Sequence, residues 1–387
     1  MHVLMLANEF PPARGYGLAR YAGELASALA SMNHAVDVVT CNYNGGRPGR
    51  ERGGARIHDR RELWPLHHYD WTGDIVLDNV YLVERGLDIV DESGPVDVII
   101  SHDWHAAHAA KSLSSILGVP WLLFMHDTEP GKRGNTLTRQ QLYIAQMEGW
   151  AIGHAARVIC CSRFMRDELE SRYNCPADKI AVISPGVNPT SFEVDADFRA
   201  FRQFLAPDDK RIVLFVGRLS PMKGPDLLVE AIPAVLERLP RTNFVFCGDG
   251  ILARTLAEKC ERLGVDGSAR FLGHLYGKTL AAVYRVSDLL VVPSRYEPFG
   301  MAALEGVVCG LRVLVANSGG LAEIAEREPR TALFGELTVD AIAAACARAG
   351  FEPSGSYPNE LRSPRPEHCW ETVARRVSEL LQEIMIR

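Results

Sequence analysis

The chain has 387 residues, 47% of them apolar and 23% charged, and carries a net charge of −6. That length suits two domains of roughly 150–200 residues better than a single core, and the ordinary composition excludes a disordered chain. The acidic balance gives no reason to expect nucleic acid as a partner, and no run approaches about 18 apolar residues, so no membrane span is expected.

The N-terminus, Met1-His-Val-Leu-Met-Leu-Ala-Asn-Glu9, has no cationic leader and meets an acid early, which argues against a signal peptide. The nine cysteines form no CxxC pair and several sit inside apolar runs, as expected of free thiols in a reducing compartment. Both features predict a soluble, cytoplasmic protein.

Short β-branched runs alternate with longer amphipathic ones, the pattern of parallel βαβ units. In the first half the predicted strands are 2–6, 36–40, 96–101, 121–126, 157–162 and 180–184. In the second half they are 211–216, 243–247, 269–272, 289–293, 313–316 and 331–334. Two Rossmann-like domains follow, 1–186 and 187–369, with the break near Pro185-Gly-Val-Asn-Pro189. The segment 370–387 reads as an amphipathic helix that either packs back on the first domain or closes the second.

In open α/β sheets ligands bind beyond the carboxyl ends of the strands, so residues just after strands matter most. Gly17 opens a helix after the first strand, and amides at such a start can face a phosphate; a plain βα turn explains it equally well. His102-Asp-Trp-His105 follows the strand 96–101 and suits a sugar or acceptor contact. A metal is disfavoured there, because His102, His105 and His108 recur every third residue and rotate off a common helical face. His126 and Asp127 follow the most apolar strand, where a histidine is either a core residue or a group facing the cleft. The neighbouring acids Asp127 and Glu129 favour the cleft.

Arg218 and Lys223 leave the end of the strand 211–216. An Arg fork and a Lys point charge together suit a diphosphate; the bland alternative is a solvated loop. Glu297 and Glu305 flank Pro298-Phe-Gly-Met301, the second inside a helix whose first amides could take phosphate. Carboxylates accept hydrogen bonds from vicinal hydroxyls, so one can hold a sugar and the other a ribose.

Taken together, Glu9-Phe-Pro-Pro12, Ser101-His-Asp-Trp-His-Ala106, Val216-Gly-Arg-Leu-Ser-Pro-Met-Lys-Gly224, Cys247-Gly-Asp-Gly250, Phe271-Leu-Gly-His274, Pro293-Ser-Arg-Tyr-Glu-Pro-Phe-Gly-Met301 and Ser318-Gly-Gly-Leu-Ala-Glu323 resemble the retaining nucleotide-sugar glycosyltransferases of the GT-B fold. That superfamily includes glycogen synthases and many antibiotic and cell-wall enzymes. The resemblance implies an α/β protein with two Rossmann-like domains facing each other across a cleft. It implies Gly17 near the donor phosphates, Asp103 and His126 facing sugar and acceptor, and Arg218 and Lys223 on the pyrophosphate. His274 would lie near the base and Glu297 on the transferred sugar. The amides of Phe299, Gly300 and Met301 would support sugar and phosphate, and Glu305 would hold the ribose. Many relatives have Gly-Gly where this chain has Tyr16-Gly17, so a bulky Tyr16 would reshape the acceptor side, on which Asp127 would also lie.

The implied chemistry is ionisation at the anomeric carbon with retention. Arg218 and Lys223 would neutralise the leaving diphosphate, and no metal or other cofactor would be needed beyond the nucleotide sugar as co-substrate. For the acceptor, residues 62–97 carry nine acids against Arg85, a local charge of −8, where lipid-acceptor relatives would show a basic surface. Those acids either line solvated loops and helix faces or face a cationic soluble acceptor such as an aminocyclitol or amino sugar of antibiotic biosynthesis. Alternatives are a glucan or cell-wall glycosyltransferase, a GT-B-shaped epimerase or phosphorylase, and a non-catalytic sugar-nucleotide sensor.

Overall fold

A computed structural model describes the chain except for residues 12–16, 44–49, 61–70, 135, 196, 208–209, 350–359 and 387. The chain divides into two units, Met1–Gly186 with Pro366–Arg387, and Val187–Arg365.

The first unit contains β1 (His2–Ala7), α1 (Gly17–Ser31), β2 (Ala35–Tyr43), β3 (Arg50–Arg52), β4 (Ala55–Arg60), α2 (Trp71–Ser93) and β5 (Val98–His102). It continues with α3 (Ala107–Leu117), β6 (Trp121–Met125), α4 (Glu129–Arg133), α5 (Arg139–His154), β7 (Arg157–Cys160), α6 (Arg163–Tyr173) and β8 (Ile180–Val182). Its eight strands run in the order β3-β4-β2-β1-β5-β6-β7-β8, parallel throughout apart from the β3–β4 hairpin. Central strands of a parallel sheet are covered on both faces and so read as continuous apolar runs. In β1, Val3 to Ala7 are all fully buried.

The second unit contains α7 (Phe198–Leu205), β9 (Arg211–Val216), α8 (Pro225–Arg238), β10 (Thr242–Cys247), α9 (Ala253–Arg262), β11 (Ala269–Phe271) and α10 (Gly277–Val286). It ends with β12 (Leu289–Val292), α11 (Met301–Val308), β13 (Arg312–Val315), α12 (Gly320–Arg327), β14 (Thr331–Leu333) and α13 (Val339–Arg348). Its six parallel strands follow the order β11-β10-β9-β12-β13-β14, the dinucleotide-binding order, which reverses between β9 and β12.

All twelve strands expected from the sequence are present, most of them shifted at their ends by a residue or two. The edge pair β3 and β4 is additional. Its sequence, Arg50-Glu-Arg52 and Ala55-Arg-Ile-His-Asp-Arg60, hides a strand behind charge, and the structure shows why charge is tolerated. Arg50 forks onto the buried Asp59 at 2.5 and 2.9 Å. Asp37, fully buried on β2, accepts from Arg56 at 2.5 Å and meets His2 and His58 at 2.7 Å each. Burial alone would raise the Asp37 carboxyl, but the bonds from His58, Arg56 and His2 outweigh it and hold it down at about 2.

The last helix, α14 (Trp370–Ile386), lies in the first unit. Its Val373, Ala374, Val377 and Leu381 are fully buried in one core with Val3, Met5 and Leu25. Trp370 covers Gly186, where any Cβ would collide with the indole ring. No described helix is long and apolar enough to cross a membrane.

Candidate functional site

In the second unit the candidate residues gather at the switch point between β9 and β12. The chain leaves β9 through Gly217 and Arg218, makes a 3-10 turn over Pro221–Lys223 and enters α8 at Pro225. Gly224 joins turn to helix at φ +68°, and a Cβ there would overlap the Pro293 carbonyl oxygen just after β12. Only glycine lets these two loops touch at the backbone. Across that contact the Lys223 Nζ donates to Glu297 Oε2 at 2.8 Å, and Ser294 Oγ donates to the same oxygen at 3.1 Å. Arg295 ties the loops from outside, with both guanidinium nitrogens on Asp226 at 2.8 and 2.6 Å.

The segment Glu297–Met301 is pressed onto the start of α12. The Gly320 amide donates to the Glu297 carbonyl at 2.9 Å. Phe299 and Gly300 are buried, Gly300 in the left-handed region at φ +112°, and Met301 opens α11 half-buried. One turn into α11, the buried Glu305 accepts from the Tyr284 hydroxyl at 2.9 Å. Arg218 is exposed at the same strand end, so its charge carries little cost of burial. The Leu219 amide beside it donates to Asp249 O at 2.8 Å, and Gly248 N donates to Gly273 O at 2.8 Å. These bonds stitch the loop carrying His274 to the loops after β10 and β9. The arrangement joins two cations, two carboxylates and a glycine-lined turn at one set of strand ends, which suits a phosphorylated, polyhydroxylated ligand.

In the first unit a second cluster occupies the ends of β5 and β6. His102 closes β5 fully buried, and its Nδ1 lies 2.9 Å from His126 Nε2. Asp103 sits at φ +52°, uncommon for a residue with a side chain, and its Oδ1 accepts from the His126 amide at 2.8 Å. Burial drives the histidines toward the neutral form, His126 and His105 to about 4 and His102 well below the usual range. Burial, then the charge of Asp127, raises the Asp103 carboxyl well above its usual range. Lys132 pairs with Asp127 at 2.9 Å and with Glu129 at 3.1 Å. Glu148 accepts from the Glu129 amide at 2.9 and 3.0 Å and from the Tyr173 hydroxyl.

The three histidines spaced by three go to different partners: His102 to His126, His105 to Trp104 and His108 to Trp150. Gly17 is exposed at the first position of α1. Tyr16 lies outside the described residues. The acids of 62–97 fall largely on α2, and three of them form local ion pairs: Asp78 with Arg60, and Asp88 and Glu92 with Arg85. Asp97 accepts from the His2 amide. Sequence reasoning did not single out Ser294, Tyr284 or the His102 contact. Ser294 stands inside a motif already quoted, whereas Tyr284 is one aromatic in an apolar helix and carries no signal.

Residues 197–351 match the family described as "Glycosyl transferases group 1", and residues 16–191 match "Glycosyltransferase Family 4". An uncharacterized glycosyltransferase of Methanocaldococcus jannaschii is 34% identical over 333 residues, 85% of this chain and 83% of that protein. A glycogen synthase of Mycobacterium tuberculosis is 27% identical over 98% of this chain and 94% of that protein. The solved sucrose-phosphate synthase of Thermosynechococcus elongatus superposes over 100% of both chains with a TM-score of 0.80 at 23% identity. The fold is that of the GT-B enzymes, α/β with two parallel-sheet domains, as the motif resemblance implied and in keeping with the two Rossmann-like domains read from the strand pattern.

Proposed function

The chain belongs to the group 1 glycosyl transferases, and we propose that it is a retaining hexosyltransferase acting in the cytoplasm. It moves glucose or N-acetylglucosamine from a UDP-linked donor to a hydroxyl of a small soluble acceptor. The observation that carries this reading is the Lys223–Glu297 pair at the switch point of the second sheet, with Arg218 beside it and Glu305 one helical turn further.

Arg218 and Lys223 bind the pyrophosphate, the amides of Phe299 to Met301 support sugar and phosphate, and Glu297 holds the sugar hydroxyls. Glu305, oriented by Tyr284, takes the ribose, and the loop at His274 meets the base. In the first unit Gly17 lies near the donor phosphates, His126 and Asp103 meet the sugar, and Asp127 and Tyr16 belong to the acceptor side. The bond from the anomeric carbon to the phosphate oxygen breaks with its electron pair going to the diphosphate. The acceptor oxygen then bonds to that carbon on the same face, and its proton passes to the departing phosphate oxygen. The cations stabilise charge as it develops, each contributing about 3–4 kcal/mol on the scale of such groups, so the reaction needs no metal.

For the acceptor we favour an aminocyclitol or amino sugar of antibiotic biosynthesis. This choice rests on the acidic excess of residues 62–97, because Asp127 and Glu129 are already paired with Lys132. A glucan acceptor is the second reading, supported by the similarity to a glycogen synthase. The test is a donor panel read by mass spectrometry against a mixed acceptor pool, in buffer with and without EDTA, with the anomeric configuration of the product assigned by NMR. A product formed on an amine-bearing acceptor and lost on N-acetylation supports the favoured acceptor. Transfer to a neutral glucan selects the second reading, and donor epimerised or merely bound rejects both.

A further inference from the structure

His102 and His126 come together because β5 and β6 are parallel neighbours with His102 opposite Phe124. His126 lies two residues beyond Phe124, on the same face of the sheet. The ring centres lie 5.2 Å apart with their planes inclined by 29°, and one hydrogen bond of 2.9 Å joins His102 Nδ1 to His126 Nε2. Tyr21 packs edge-on against the His126 ring at 4.8 Å between ring centres, and the Asp103 carboxyl accepts from the His126 amide.

A hydrogen bond between two neutral imidazoles carries one proton, which sits on either nitrogen. The other ring nitrogen decides which. His102 Nε2 is fully buried and has no hydrogen-bond partner among the described residues. If His126 donated, His102 would keep its own proton on Nε2 and bury an N–H with no acceptor, an arrangement folded proteins avoid more strictly than an unused lone pair. If His102 donates from Nδ1, its Nε2 is bare and no donor is stranded.

We propose that His102 is a positioning residue for His126: its Nδ1–H donates to His126 Nε2, which places the His126 proton on Nδ1. His126 then meets the substrate as a hydrogen-bond donor and not as a base. This rests on the reading that His126 contacts the sugar, and it fits a reaction in which the acceptor's proton leaves with the diphosphate.

The experiment is nitrogen-15 NMR of the histidine rings in the full chain, with steady-state kinetics, for the wild type, His102→Phe, His102→Asn and His126→Ala. Circular dichroism confirms that each variant is folded. Wild-type His126 is expected as the Nδ1–H tautomer. His102→Phe should release that tautomer and lower kcat about tenfold, the scale on which outer hydrogen-bond partners act, with donor KM within about twofold. His102→Asn, whose amide N–H replaces the Nδ1–H, should restore both tautomer and kcat. Wild-type His126 protonated on Nε2 overturns the inference. So does a folded Phe variant with unchanged tautomer and rate. Normal turnover in His126→Ala overturns instead the reading that His126 serves the reaction, and the wild-type tautomer still decides the direction of the hydrogen bond.

Discussion

Lys223 Nζ lies 2.8 Å from Glu297 Oε2, although the two residues are 74 positions apart. They meet because β9 and β12 are sheet neighbours and Gly224 lets the loops beyond them touch at Pro293. The pair is an ammonium and a carboxylate held ready at one strand end, each about a fifth exposed or less.

Lys223→Ala should therefore separate catalysis from folding. Loss of a partly exposed ion pair costs about 1 kcal/mol or less, a fall in Tm of roughly 2–4 °C for a domain of this size. If Lys223 faces the leaving diphosphate, as proposed, loss of its charge should lower kcat at least about 100-fold. Calorimetry and initial rates on the same preparation check both halves. Near-normal turnover would remove Lys223 from the diphosphate site.

Tyr284→Phe probes the other carboxylate. The Tyr284 hydroxyl is fully buried in α10 and donates to Glu305 Oε2 at 2.9 Å. Its removal loosens Glu305 without touching Lys223 or Glu297. If Glu305 holds the ribose, the loss is of uniform binding, which raises KM with kcat unchanged. A rise in donor KM of about tenfold is expected, with kcat within about twofold. Titration calorimetry with the free nucleoside diphosphate should show the same weakening. A fall in kcat at constant KM would put Glu305 at the reacting centre instead.

The second sheet was legible because its central strands are compact β-branched or aromatic runs, such as Ile212-Val-Leu-Phe215, set between turn residues. Arg218, Lys223, Glu297 and Glu305 stood out because they follow such runs within conspicuous Gly- and Pro-bearing segments, Val216–Gly224 and Pro293–Met301, with Glu305 in the helix after the second. The hairpin β3–β4 escaped notice because Arg50, Arg52, Arg56 and Arg60 look like a solvated stretch until Asp59, Glu24, Asp37 and Asp78 are seen to pair with them. The His102–His126 bond depends on the register of two parallel strands, which periodicity alone does not give.

Glu148 sets a pH dependence in the first unit. Burial pushes its carboxyl up to about 7 from an ordinary 4.5, against the lowering effect of bonds from Tyr173 and Glu129. A raised folded-state value means that the folded chain binds the proton more tightly than the unfolded one. The stabilisation is complete below about pH 4.5 and is lost as pH rises to about 7. Glu148→Gln, which keeps an acceptor for the Glu129 amide, should flatten that slope. The wild type should lose up to about 3 kcal/mol relative to the variant between those limits. Denaturant unfolding of both proteins at pH 5 and pH 7.5 measures it, and parallel slopes would exclude Glu148 as the titrating group.

Ending the chain at Cys369 should unfold the first unit selectively. Val373, Val377 and Leu381 are fully buried and Trp370 is 8% exposed, all four packed with β1 and α1. At about 1.5–3 kcal/mol for each large apolar side chain, their removal forfeits roughly 6–12 kcal/mol. A domain of this kind holds only about 5–15 kcal/mol in total. The second unit, Val187–Arg365, contains none of these residues. Scanning calorimetry of the truncated chain should show its transition retained and that of the first unit lost. Titration with a nucleoside diphosphate should still raise the Tm of what remains, because Arg218, Lys223, Glu297 and Glu305 all lie in the second unit. If truncation abolishes both transitions, α14 supports the whole chain and the two units do not fold separately. If it abolishes neither, the buried face of α14 contributes far less than its area implies.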